Sequence, residues 1–204
     1  MKKILFIMMA FFAIAVGLYP ALYFIIDRSF GLLSTKSAML LVSMPWNIAF
    51  YVHIIFGGIA LLVGWAQFRD SVRRAKPEIH RLLGKLYLLS VMCSALGGLV
   101  LGSSATGGII SSMGFMALAV LWGGTTLRAY YAIRAKRLAE HQTMMTYSYA
   151  ACFAAVTLRL WLPMLIGITG SFITAYQIVA WLCWVPNIAV AYALTSRRPS
   201  VRTQ

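Results

Sequence analysis

Six apolar runs, each long enough to cross a bilayer, take up nearly the whole chain. A membrane-spanning helix needs about 20 consecutive apolar residues. The runs cover residues 4–26, 46–68, 86–105, 109–133, 144–168 and 171–194. The expected fold class is therefore all-α, a polytopic membrane protein built as a bundle of six transmembrane helices in one domain, 1–204. Composition agrees: 61% of the 204 residues are hydrophobic and 11% are charged. A soluble domain carries roughly twice that charge. Little chain is left from which to build a water-soluble domain.

The first run is longer than the apolar core of a signal peptide, about 7–15 residues, and shows no convincing cleavage site. It reads as a retained signal anchor, ended by Asp27 and Arg28. The linker from Phe30 to Pro45 is expected to lie along the outer membrane surface.

The formal charge of +14 comes from 18 Lys and Arg against 4 Asp and Glu. A soluble protein with this balance would suggest nucleic acid. Here the charges sit in short segments between apolar runs, so lipid head groups, not nucleic acid, are the expected partners. The N-terminus, the loop from Arg69 to Lys85, the loop from Arg134 to Arg137 and the tail (Arg197, Arg198, Arg202) hold all but four of the basic residues. Those four are Arg28, Lys36, Arg128 and Arg159. The positive-inside rule then places both termini in the cytoplasm. Cys93, Cys152 and Cys183 form no CxxC pair and fall inside runs, so they read as small packing residues.

Ionisable residues within the hydrocarbon are costly and mark functional sites. His53 and Arg159 qualify, at roughly 10–13 Å below the outer surface by helix rise. Their similar depth suggests one shared polar pocket. Each also has a plain reading: Arg159 bonding helix backbone or snorkelling, His53 a neutral core histidine. His80 and His141 occupy matching places, each before a helix that leaves a basic loop, and could instead be solvated loop residues. Helical phase gathers these groups into stripes. One joins His53, Gly57, Ala60, Gly64 and Gln67. The next joins His80, Gly84, Tyr87, Val91, Ser94, Gly98 and Gly102. The third joins His141, Met145, Ser148, Cys152, Ala155 and Arg159. Small stripes let membrane helices approach closely, and equally leave room for a flat cofactor.

Walker, Rossmann, HExxH and GxSxG patterns are absent. No acidic residue lies mid-run, as a proton pump would usually require. No enzyme class follows. Nor does a strong inverted repeat or a pair of broken helices stand out in the runs.

The blocks His53–Gln67 (HIIFGGIALLVGWAQ), His80–Tyr87 (HRLLGKLY) and Ala154–Leu160 (AAVTLRL) resemble a family of bacterial predicted membrane proteins, domain of unknown function 2306. The resemblance implies a multi-helix fold in the bacterial inner (cytoplasmic) membrane. It also implies that His53, Gln67, His80, Arg81, Gly84, Tyr87, His141 and Arg159 stand at the family's characteristic positions. The chain departs from the family pattern at His141: where the family reads HR followed by a WM pair and RSY, this chain has Gln142, Met144, Met145, Tyr147, Ser148 and Tyr149, so both arginines are missing. The family name implies no activity.

Three functions are expected to compete. The first is a redox protein binding b-type haem or quinone. His80 and His141 would hold one haem iron, and Arg81 would meet its propionates. Gln67 and Tyr87 would line that site, and Arg159 would meet a quinone carbonyl near His53. The second is a cofactor-free transporter or lipid- or anion-binding protein, with Arg159 attracting the anion. The third is an accessory or assembly subunit of a larger membrane complex or redox partner.

Overall fold

The structure is a computed structural model that describes residues 2–26, 31–69 and 74–196. Six of its helices are long and apolar enough to cross a membrane: Lys3–Ile25, Met44–Phe68, Pro77–Ser103, Ile109–Arg134, Leu138–Thr169 and Phe172–Ser196. They are called spans one to six. The chain is a multi-pass helical membrane protein, as the apolar runs require. The ends expected at Asp27 and Arg28, and the basic residues Arg73, Arg197, Arg198 and Arg202, lie outside the described residues.

Spans three and five start earlier than their apolar runs. Span three begins at Pro77, with Glu78 in its first turn. Proline is pre-organised for the first helical position, and a carboxylate there complements the helix dipole. Span five likewise starts at Leu138, with Glu140 in its first turn. Glu140 pairs with Arg128 at 2.8 Å and Arg137 at 3.1 Å. His80 and His141 therefore sit on helix, not in loops. Apolar run length misses such polar first turns because proline pre-organisation, ion pairs and the helix dipole, not hydropathy, hold them.

Consecutive spans pack as antiparallel neighbours, and span five also returns against spans one and two. Bilayer helices lack a hydrophobic drive toward one another, so close approach does the work. A Cβ added to Gly97 of span three would stand 2.7 Å from the Ala49 carbonyl of span two. One added to Gly114 of span four would stand 2.8 Å from the Ala180 carbonyl of span six. Only glycine permits backbones this near. Between spans three and four the chain turns through Gly107 (φ 95°) and Gly108 (φ 71°), a conformation glycine adopts without a Cβ clash.

A closed ring of hydrogen bonds joins spans three, four and five at the buried level of Tyr87. Thr126 donates to the Trp122 carbonyl at 2.7 Å. It must then accept from Ser148 at 2.6 Å, and Ser148 accepts from Tyr87 at 2.8 Å. The Trp122 indole N–H closes the ring onto Tyr87 Oη at 3.4 Å. Buried polar networks of this kind stabilise when every member is satisfied. Tyr87→Phe should cost about 1 kcal/mol, near the ~0.6–1.7 kcal/mol measured for interhelical bonds in membranes. A Tyr87→Phe/Ser148→Ala double-mutant cycle in thermal unfolding should show coupling between the two sites.

The two ends of the bundle differ. One carries the basic segments flanking spans two to three and four to five. The other is capped by the segment after span one, a 3-10 turn at Gly31–Thr35 and a short helix at Ala38–Val42. Part of this linker packs into the bundle end. Leu33 plugs into the bundle with 2% of its surface exposed. Lys36 Nζ donates to Ser104 O at 2.8 Å, and Trp46 Nε1 to Ser104 Oγ at 3.0 Å. The Lys36 bond satisfies a carbonyl at the C-terminal end of span three, where the last carbonyls lack helical partners.

Candidate functional site

A cavity of 240 Å³ lies inside the capped half of the bundle. Its volume exceeds the roughly 150 Å³ of an engineered cavity that takes up benzene. The walls are mostly apolar and aromatic, with Trp46, Phe50, Phe115, Leu118 and Trp122 among them. Three basic side chains reach it: Lys36 from the cap, His53 from span two and Arg159 from span five. His53 and Arg159, expected to share one polar pocket, both line this cavity, whose walls are mostly apolar.

His53 is held by span three. Its Nδ1 lies 2.8 Å from Ser94 O, and a carbonyl can only accept, so Nδ1 carries the proton. Ser94 Oγ donates back to His53 O at 2.9 Å. This reciprocal pair fixes ring orientation and leaves Nε2 as a bare acceptor in the neutral form. Gly98 makes room for the ring: a Cβ there would stand 3.2 Å from Nδ1.

Arg159 donates from Nη1 to Ala155 O at 2.8 Å, one turn back. Its guanidinium carbon stands 4.4 Å from the centre of the Tyr19 ring, a cation–π contact from span one. Tyr23 and Tyr176 add two more aromatic walls to the same cavity. The backbone bond expected as the plain reading of Arg159 is therefore made, but one carbonyl occupies one of five N–H donors. The described acids, Glu78 and Glu140, both lie at the basic end of the bundle. Arg159 thus faces the cavity as a cation with no described carboxylate beside it. Lys36 does the same at the mouth, where burial pushes its ammonium below the usual lysine range.

The helices beside Arg159 are interrupted. Span five breaks its regular helix at Phe153, between Leu138–Cys152 and Ala154–Thr169. Span six breaks at Cys183–Trp184, between Phe172–Leu182 and Val185–Ser196. Pro186 explains the second break, since its ring has no N–H and crowds the carbonyl four residues back. Asn187 ties the two breaks together: its Nδ2 donates to Ala150 O at 3.2 Å and Cys183 O at 3.0 Å. Thr157 also donates to Cys183 O. Irregular backbone at membrane depth is tolerated where protein buries it or a cavity borders it. Ala151, Cys152, Ala154 and Cys183 line the cavity at these breaks. Both points stay in right-handed helical conformation, and spans five and six each run on as one continuous span. Pro186 and Asn187 were the available signal for the kink in span six.

The remaining expected site residues fall elsewhere. None of His80, Arg81, His141, Gln67 or Tyr87 lines the cavity. Tyr87 spends its hydroxyl in the interhelical ring. His141 gives its Nδ1–H to Ala129 O at 2.8 Å. Gln67 lies on the 3-10 turn Trp65–Phe68, its Oε1 3.7 Å from where a Gly84 Cβ would stand. Its Nε2 is buried with no hydrogen-bond partner. Arg81 is exposed and His80 half-buried at the basic end. Among the described residues no group of three or more His, Cys, Asp or Glu comes together as a metal site.

Neither a curated protein nor a solved structure matches the chain. A family profile does, over residues 50–195, which takes in His53, His80, His141 and Arg159 but not the first span or Lys36. The chain belongs to the family of predicted membrane proteins known as domain of unknown function 2306.

Proposed function

We propose that this protein binds a small acidic amphiphile in the cavity between His53 and Arg159, as the substrate site of a small transporter or lipid-handling protein. The observation that carries this reading is the Arg159 guanidinium, facing a largely apolar cavity with no described counter-ion. A buried, uncompensated charge costs several kcal/mol, and a carboxylate or phosphate ligand offsets that cost with charge-assisted hydrogen bonds. The bare Nε2 of His53 accepts from a protonated ligand oxygen or becomes a second donor on protonation. On the positive-inside rule the capped end faces outward, so the ligand enters from that side.

Calorimetric titration of the purified protein in mild detergent with octanoate, and with octyltrimethylammonium as the control, tests this. Saturable binding of the anion alone is expected. No binding, or equal binding of the cation, overturns the reading.

One observation favours a redox role with haem or quinone. Both His53 and His141 give Nδ1–H to a backbone carbonyl, the second-sphere arrangement that metal-ligating imidazoles use. An absorption spectrum before and after dithionite decides it for haem. A Soret band lost in His141→Ala would move the redox role to the front, and a featureless spectrum from folded protein would remove haem.

A further inference from the structure

The cavity carries a second cation that the anion-binding reading does not use. Lys36 lies outside the residues matched by the family, on the cap that follows span one. Its ammonium lines the cavity at the level of Ser104, the end of span three. Arg159 lies deeper, eleven residues before the Gly170 turn that closes span five at the same end. Helix rise puts that separation at about 16 Å along the bundle, and two long side chains narrow it. Between the two cations the wall is apolar, formed by Phe50, Leu101, Phe115 and Leu158 among others. No described acid faces either one.

A monoanion bound at Arg159 would leave Lys36 without an anionic partner. A ligand with an acidic group at each end and an apolar middle would match both cations and the wall between them. We propose that the cavity selects elongated dicarboxylates, with Lys36 taking the carboxylate at the mouth and Arg159 the one inside. This inference rests on the anion-binding reading above and names its substrate class. Lys36 already donates to Ser104 O, and an ammonium has three donors, so it holds the cap and the ligand at once. Each carboxylate gains charge-assisted hydrogen bonds in a low-dielectric setting, where they are stronger than in water.

The test is a titration of the full chain in detergent with octanoate, butanedioate and octanedioate. Wild type should bind octanedioate at least about tenfold tighter than octanoate, the factor that 1.4 kcal/mol represents. Butanedioate, too short to span the cations, should gain no such advantage. Lys36→Gln keeps a donor for Ser104 O and removes the charge; it should abolish the preference for octanedioate over octanoate. Lys36→Arg should retain the preference. Equal wild-type affinity for the C8 mono- and diacid overturns the inference while the anion-binding reading stands. Equal loss of both ligands in Lys36→Gln also overturns it, showing that Lys36 acts only through the cap. Failure of every anion to bind wild type removes the reading underneath.

Discussion

Arg159→Met should abolish acidic-ligand binding and at the same time make the empty protein more stable. The two effects come from one cause. In the empty protein the guanidinium has the Ala155 carbonyl and the Tyr19 ring for company and no described carboxylate. Methionine has similar reach, fits irregular apolar gaps and carries no charge to desolvate. Replacing buried ionic groups by apolar ones of similar volume stabilises proteins by about 1–4 kcal/mol in favourable cases. Thermal unfolding in detergent should therefore show a higher midpoint for Arg159→Met without ligand. Calorimetry should show octanoate affinity reduced by about 100-fold or more, from losing a charge-assisted contact worth roughly 2–5 kcal/mol. Arg159→Lys separates charge from shape: it keeps the cation but loses the planar stack on Tyr19 and the fork of donors. It should bind weakly, between wild type and Met. If Arg159→Met destabilised the empty protein by several kcal/mol, the residue would be a structural brace and the anion site would lose its basis.

The sequence carried the six spans plainly, because hydrocarbon imposes a minimum length on every crossing run. It also carried the pairing of His53 with Arg159, since both depth and helical phase can be counted along a run. What it did not carry were features that depend on how spans meet. The small faces of spans two, three and five looked alike as candidate grooves. In the fold the three faces converge on one cavity, which His53 and Gly57 of span two, Ser94, Gly98 and Gly102 of span three, and Cys152, Ala155 and Arg159 of span five all line, while Gly97, on a neighbouring face, closes against Ala49. Tyr87 shared a stripe with His80 and so looked like a cofactor residue, yet its hydroxyl lies in a ring with Ser148, Thr126 and Trp122. That ring needs a residue from each of three spans, and no single-chain periodicity reports it. Lys36 looked like a surface residue because its linker is short and mildly apolar. The structure tucks that linker into the bundle end, where Leu33 is buried and Lys36 meets Ser104.

Asn187→Ala is expected to be the most damaging substitution away from the cations. Pro186 cannot donate to the Leu182 carbonyl, and the breaks in both spans free further carbonyls. In water such groups would be hydrated; within a bilayer each must find a protein partner. Asn187 Nδ2 serves Ala150 O on span five and Cys183 O on span six, and it lies 3.2 Å from Thr157 Oγ1. Alanine removes both donors at once. An unsatisfied buried group costs about 1–3 kcal/mol, and Cys183 O keeps its bond from Thr157, so the net loss should be close to 2 kcal/mol. Asn187→Asp, nearly isosteric but stripped of its donors and facing two carbonyl oxygens, should cost more. The comparison tells a clamp from simple packing: packing alone would leave Asp close to wild type and Ala worse. The clamp also positions the cavity, because Ala151, Cys152 and Ala154 stand at the break it secures, five to eight residues before Arg159. Asn187→Ala should therefore weaken octanoate binding by a few-fold although the side chain itself does not line the cavity. Thr157→Val added to Asn187→Ala would strip Cys183 O of both donors, so the double variant should lose more stability than the two single losses added together.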